Sequence, residues 1–354
     1  MAYRKFLPAL LLATPLLAHS APYNVKQLGL FATDDSYASS INNAGAVVGT
    51  HHPGEDHQPL AFLAAGGKAS YPGSFAAIRG INDHGVISGN DYSPTAYTWQ
   101  NGQMTQLADL GYGAEGGRIN NAGAAVGLSL TATGYHATVF SNGTVQDLGA
   151  LYGGNSLAND INDSGVVVGE TARVAGTYSS RAFIYANGVM SDIGTLAGDV
   201  DSAAYAINAG GAVTGQSRRD GSTRAFLYQD GSMVDLGTLS GFANSAAGGI
   251  NDAGQVVGWG FTGRARGAFL YHNGTLTDLD TLLDPALGWH VEKAYDINES
   301  GDIAARACKA GLGCEIVVLT MAPVPEPETY AMLLAGFGLL GFVARRRARP
   351  LMRS

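Results

Sequence analysis

The sequence predicts an all-β, seven-bladed propeller closed by its own N-terminal strand. Three observations carry this. An Ile-Asn pair recurs at Ile41, Ile81, Ile119, Ile161, Ile207, Ile250 and Ile297, 38–47 residues apart. Each copy has room for four short apolar runs bounded by Gly, Asn and Asp, the pattern of strands and turns. Repeats of this length and composition indicate a propeller rather than a helical array. The ends of the array also mismatch: one has a spare strand and the other lacks one.

Residues 245–279 show the unit most clearly. Small residues lead to Ile250-Asn251, and the turn Asp252-Ala253-Gly254 follows. Then come Val256-Val257-Gly258, a polar segment, Ala268-Phe269-Leu270-Tyr271, the turn Asn273-Gly274 and Thr275–Leu279. Asn-Gly between two apolar runs is a strong hairpin signal. The small-residue run belongs innermost, where seven blades crowd the axis. The Val-Val-Gly run is second, the Ala-Phe-Leu-Tyr run third and the Asp-Leu-Gly run outermost. The turn after Ile-Asn has Asn or Asp for local hydrogen bonds and Gly for positive φ. With at most one Asp each, these turns fall short of the several carboxylates usual for calcium.

Met1–Ser20 is a predicted secretory signal. Arg4 and Lys5 precede the apolar run Phe6–Ala18, and Ala18-His19-Ser20 places the mature start at Ala21. The run is short for a membrane anchor, and the signal implies the Sec export machinery as a partner. Tyr23–Phe31 resembles a fourth strand without a preceding repeat, whereas the seventh repeat has no fourth run. Pairing the two closes the ring and removes an open ladder. The propeller is expected to span residues 21–322.

Cys308 and Cys314 are the only cysteines. In an exported chain they are expected to form a bridge across the hairpin beside the closure point. Residues 323–329 form a Pro-rich linker, 330–344 an uncharged apolar helix and 345–354 a basic tail. The apolar run is shorter than an ordinary span, yet with flanking residues it is expected to cross the membrane. Arg345, Arg346 and Arg347 would then lie on the cytoplasmic side.

The formal net charge is −8. Seven of the 21 basic residues and two of the 29 acidic ones lie in the two ends, leaving 14 against 27 and a body near −13. Such a body argues against nucleic-acid binding.

Val324-Pro325-Glu326-Pro327, the apolar segment with Gly336, Gly338 and Gly341, and the terminal arginines together resemble a PEP-CTERM sorting signal. The resemblance implies export in a Gram-negative bacterium and transient inner-membrane anchoring. It also implies tail removal by an exosortase, then residence at the cell surface or in a biofilm matrix with exopolysaccharide. Pro325, Glu326, Pro327 and Arg345–Arg347 would carry the sorting function. The repeats are similar to the extracellular HAF family through Arg181-Ala182-Phe183, Arg224-Ala225-Phe226 and Gly267-Ala268-Phe269. The His of that motif survives only in His136-Ala137, where Thr138 replaces Phe.

Function in a propeller usually sits on loops at one face. Arg173, Arg181, Arg218, Arg219, Arg224, Arg264 and Arg266 fall between the second and third runs of blades four to six, with Tyr178, Trp259 and Phe261. Arginine pairs well with planar anions and aromatic faces stack on sugar rings, so this arc is a candidate site for an anionic polysaccharide. The alternative is a solvated rim neutralising nearby Asp residues. His51, His52 and His57, with Glu55 and Asp56, form a weaker metal candidate. Trp289, His290, Glu292 and Lys293 are read as a rim pocket or a packed cover of the closure blade. No G-x-S-x-G, H-E-x-x-H or P-loop occurs, and no cofactor is expected. The leading expectation is a non-catalytic surface or matrix protein. The competing class is a polysaccharide-acting enzyme, a lyase or glycosidase.

Overall fold

Each Ile-Asn pair ends the innermost strand of a four-stranded antiparallel sheet, and seven such sheets form the ring. The computed structural model describes residues 22–31, 36–52, 59–73, 75–172 and 179–322, with Phe337 and Leu340. Blades 1 to 6 span residues 37–70, 77–106, 114–147, 156–194, 201–237 and 244–278. Blade 7 takes three strands from 289–321 and its outermost from Tyr23–Phe31.

The repeat motif has a physical reason at each position. The innermost strand of blade 6 is bulged between Ala247 and Gly249. This presses its backbone onto the second strand, where a Cβ on Gly258 would collide with the Ala246 carbonyl and the Phe269 ring. That is why Gly follows Val-Val. In the Asp-Leu-Gly run, Asp235 Oδ1 accepts from Gly237 N–H at 2.7 Å and Gly237 takes φ 80°. Its carbonyl accepts from Ser245 Oγ of the next blade at 2.6 Å, and Ser245 Oγ accepts from Ala225 N–H at 2.9 Å. Ser202 and Ser156 repeat this clasp on Gly194 and Gly149. The Phe of each Ala-Phe pair is buried between blades; Phe226 and Phe269 are 0% exposed. Fully burying such a side chain is worth ~1.5–3 kcal/mol.

The Asn of each Ile-Asn pair does more than form a turn. Its Oδ1 accepts from backbone N–H groups within its own turn, as Asn82 does from Val86 and Asn208 from Ala212. Its Nδ2 donates to the carbonyl of the next blade's Asn. Asn42 donates to Asn82, Asn82 to Asn120, Asn120 to Asn162 and Asn162 to Asn208. Asn208 donates to Asn251, Asn251 to Asn298, and Asn298 returns to Asn42. All seven links are 3.0–3.1 Å long and closed upon themselves.

A second ring lies one residue further along. The N–H of Asn43 donates to Asp83, Asp83 to Asn121, Asn121 to Asp163, Ala209 to Asp252, Asp252 to Glu299 and Glu299 to Asn43. The link from Asp163 is missing because Ala209 has no acceptor. Ala209→Asn supplies one without adding charge. It is expected to stabilise the protein by about 0.5–1.5 kcal/mol, read as a higher denaturant midpoint at unchanged slope. An unchanged midpoint contradicts this.

The ring closes as the mismatched ends predict. Tyr23 lies opposite Met321, Val25 opposite Leu319 and Gln27 opposite Val317. Tyr23 packs with Val291, Val317 and Leu319 toward blade 6. Leu28 and Leu30 pack with Ile41, Phe62 and Ile316 toward blade 1. Pro22 O accepts from Ala322 N–H at 2.8 Å. Cys308 and Cys314 face each other across the adjacent hairpin and are bonded.

The loops expected between second and third strands in blades 5 and 6 are two-residue turns instead. Asp220 and Gly221 take φ 37° and 80°, and Gly263-Arg264 makes the other turn. Such tight turns let the strands run on through Arg219 and Ser222, and through Thr262 and Ala265. Arg218, Arg219, Arg224 and Arg266 therefore sit on strands. No helix among the described residues is long and apolar enough to cross a membrane. The signal segment 1–20 and, apart from Phe337 and Leu340, residues 323–354 lie outside the described residues.

Candidate functional site

The innermost strands surround an axial channel, lined in four of the repeats by the residue just before Ile. That residue is Ser40, Gly80, Ala206 and Gly249 in four blades but Arg118, Asp160 and Asp296 in the other three. Arg118 reaches across the axis from blade 3 to blade 7. Its Nη1 lies 3.2 Å from Asp296 Oδ1 and 3.9 Å from Asp160 Oδ2, and its Nη2 donates to Ser39 O at 3.2 Å. The three side chains are 19, 5 and 10% exposed respectively. Each carboxylate also stitches blades together. Asp296 Oδ2 accepts from Ile41 N–H, and Asp160 accepts from both Ile207 and Ile161 N–H.

Burial pushes the Asp160 carboxyl up to about 6, against the Arg118 charge and its two backbone donors. Burial works against the Arg118 charge too, but Asp296 and Asp160 outweigh it and the guanidinium pKa is raised. Arg118 thus stays charged and forms a septum dividing the channel into two vestibules, both of which it lines.

The vestibule on the Ile-Asn side has a volume of 220 Å³ and is rimmed by Asp83, Asp163, Asp252 and Glu299. Glu299 has a raised pKa, first through burial and then through Asp252, Asp83 and Asp296, despite the N–H of Asp252. This mouth is acidic. The opposite vestibule is a funnel of 390 Å³ with walls from all seven blades. Tyr37, Tyr205, Tyr295 and Trp259 line it, with Arg79, Glu115 and Asn159. The Trp259 and Tyr295 rings are 6.4 Å apart and tilted by 53°, and Lys293 Nζ lies 5.7 Å from the Trp259 ring centre. Burial, followed by the Glu170 carboxylate, pushes the Tyr205 hydroxyl up to about 12. Arg79 is exposed on the wall, and no ion pair or hydrogen bond holds its guanidinium among the described residues.

Of the arginines in the sequence-predicted arc, Arg218 lines a separate 270 Å³ groove with Tyr135, Glu170 and Ser180. Arg224 donates to Ala243 O at 2.5 Å and lies 3.8 Å from Asp235. Arg266 folds onto its own hairpin, donating to Gly263 O and lying over Phe261. Arg219 reaches Gly198 O at 3.5 Å. Arg264 is exposed at its turn, and Arg181 is half-buried on the third strand of blade 4. Arg173 and Tyr178 lie outside the described residues. The described arginines thus occupy separate local settings, and among the described candidate residues Trp259 alone enters the funnel.

His51 is half-buried, and burial followed by the His52 charge lowers its pKa. His52 N–H donates to Ser36 Oγ, and His57 lies outside the described residues. Among the described residues, the metal-ligand grouping found is Glu292 with Cys308 and Cys314, and both sulfurs are engaged in the disulfide. Trp289 packs on the closure-blade core with Lys309 above it. His290 is bracketed by Asp280 Oδ2 at 2.6 Å and Arg266 O at 3.0 Å. Asp280 raises its pKa against burial, and the pair ties the blade 6–7 connection down.

Sequence reasoning missed Arg79, Arg118, Tyr205 and Tyr295. The available signal was a charge or ring at repeat positions that other copies fill with small residues.

The channel sits in a fold known from solved structures. The β-propeller domain of the trilobed protease from Pyrococcus furiosus, described as having an open velcro topology, is 12% identical with a TM-score of 0.51. The match covers 80% of this chain and 93% of that one. TolB from Acinetobacter baumannii is 14% identical with a TM-score of 0.43, covering 70 and 65%. The gluconolactonase XC5397 from Xanthomonas campestris is 12% identical with a TM-score of 0.40, covering 68 and 83%. At these identities the likeness concerns the fold alone. No curated protein matches this chain. Residues 323–347 match the PEP-CTERM protein-sorting motif, a signal for export, membrane-associated sorting and exosortase processing.

Proposed function

We propose that this exported propeller is a non-catalytic surface or matrix protein that binds extracellular polysaccharide. The observation that carries the proposal is the funnel, open at the face away from the Ile-Asn turns and walled by three tyrosines, a tryptophan and an exposed arginine. A cavity of 390 Å³ with aromatic walls and a few convergent polar groups has the usual form of a ligand site. The sorting motif places such a protein on an export route, and the resemblance of its tail and repeats to matrix-associated proteins supports the polysaccharide class. Binding rather than cleavage is favoured by the carboxylates. Glycoside hydrolysis uses a pair of carboxylates flanking the scissile bond, whereas Glu115 is the one carboxylate among the described residues that line the funnel.

The test is retention of the protein on polysaccharide isolated from the producing cells, run beside a sugar-release assay. Retention without release is expected. Release of sugar, or no retention, overturns the proposal.

A further inference from the structure

We infer that the funnel binds the acidic end of a polysaccharide chain, a terminal uronate, with Arg79 as the carboxylate-binding residue. This rests on the polysaccharide reading above and names the chemistry and the site. Three features support it.

The first is charge placement. Arg79 lines the funnel, is exposed, and has no ion pair or hydrogen bond among the described residues. An unengaged guanidinium inside a walled cavity is set to take a planar anion through two parallel hydrogen bonds. Arg118, by contrast, is committed to Asp296, Asp160 and Ser39 O. The other mouth of the channel carries Asp83, Asp163, Asp252 and Glu299 and repels an anion, so the two faces of the disc are electrically distinct.

The second is the aromatic wall. Trp259 and Tyr295 present tilted, half-buried rings to the cavity, and Tyr37 and Tyr205 add two more. Aromatic side chains combine an apolar face with a polar tip. They suit a sugar ring, which has C–H groups on its faces and hydroxyls at its edge. Glu115 and Asn159 supply further polar partners for those hydroxyls.

The third is that the funnel has a floor. Arg118 spans the axis beneath it, and the closed ring of seven Asn links lies beyond. A chain cannot thread through. A cavity of 390 Å³ therefore takes a terminus or a short branch rather than the middle of a polymer.

Titration calorimetry of the full chain in mild detergent tests this with tetragalacturonate as the acidic probe and cellotetraose as the neutral one. Tetragalacturonate is expected to bind and quench tryptophan fluorescence, with cellotetraose at least tenfold weaker. Arg79→Gln is expected to weaken acidic binding at least tenfold at unchanged Tm, and Trp259→Phe to abolish most of the quenching. Arg219→Ala, on the rim, is expected to leave both unchanged. Long polygalacturonate should compete in proportion to its chain ends rather than its uronate content.

Equal binding of the two probes overturns the inference. So does normal acidic binding by Arg79→Gln; loss of binding in an Arg218→Ala, Arg219→Ala, Arg264→Ala variant would then place the ligand on the rim and leave the polysaccharide reading standing. Competition that follows uronate content overturns the chain-end part. Failure of both probes while isolated polysaccharide is still retained overturns the site and chemistry alone; failure of retention as well overturns both readings.

Discussion

Deleting residues 22–31 is expected to prevent the propeller from folding. The segment supplies the outermost strand of blade 7 and buries Tyr23, Leu28 and Leu30, which are 3, 6 and 2% exposed. At ~1.5–3 kcal/mol each, their burial sums to roughly 5–9 kcal/mol, comparable with the whole stability of an ordinary domain at about 5–15 kcal/mol. The loss falls on two interfaces, because Tyr23 belongs to the core shared with blade 6 and the leucines to the core shared with blade 1. It also uncovers the backbone edge of Gly313–Met321, a template for aggregation. Leu30→Ala is the milder form, expected to cost about 2–5 kcal/mol in a denaturant titration. A synthetic peptide of residues 22–31 added during refolding should restore the truncated chain. Normal stability of the truncated chain would contradict the closure.

Replacing Arg118 by Met is expected to cost about 3–5 kcal/mol at neutral pH, because it leaves Asp160 and Asp296 buried without their counter-charge. The cost should depend on pH in a direction that can be worked out. The Asp160 pKa is about 6 when folded and about 3.9 when unfolded. Between these values the folded state binds more protons, so the Asp160 contribution is fully favourable below the unfolded value and is lost as pH rises through the folded one. Without Arg118 the folded pKa rises further and the window extends upward. The variant should therefore regain stability from pH 7 to 5 more steeply than the parent. Asp160→Asn in the same background should recover part of the loss at pH 7. A cost that does not change with pH, or no rescue, would contradict the septum as an ion pair of this kind.

The ring and its closure were legible because they rest on local chemistry. Asn-Ala-Gly and Asp-Ala-Gly turns, the Asn-Gly hairpin and the small-residue innermost runs can each be read residue by residue. So can Val25–Gly29, whose likeness to Thr144–Gly149 exposes it as a displaced fourth strand. What was not legible depends on the circle being complete. Asn42 and Asn298 are 256 residues apart, and nothing local says that one donates to the other. Arg118 and Asp296 are 178 residues apart and meet only because blades 3 and 7 face each other across the axis. The arginine arc was misplaced onto loops for a different reason. The sharp turn at Asp220-Gly221 extends both strands, so Arg218 and Arg219 become strand residues, one lining a separate groove and the other reaching Gly198 O.

Closure of the ring depends on Tyr23–Phe31 being locked into the last blade. Hydrogen exchange of the folded protein, followed by mass spectrometry, measures this directly. The N–H groups of residues 23–31 that point into the ladder with residues 313–321, about every second one, should exchange as slowly as the ladder N–H groups of residues 313–321. Exchange of residues 23–31 within seconds, while the seven innermost strands remain protected, would show that the ring is not closed by its own N-terminus.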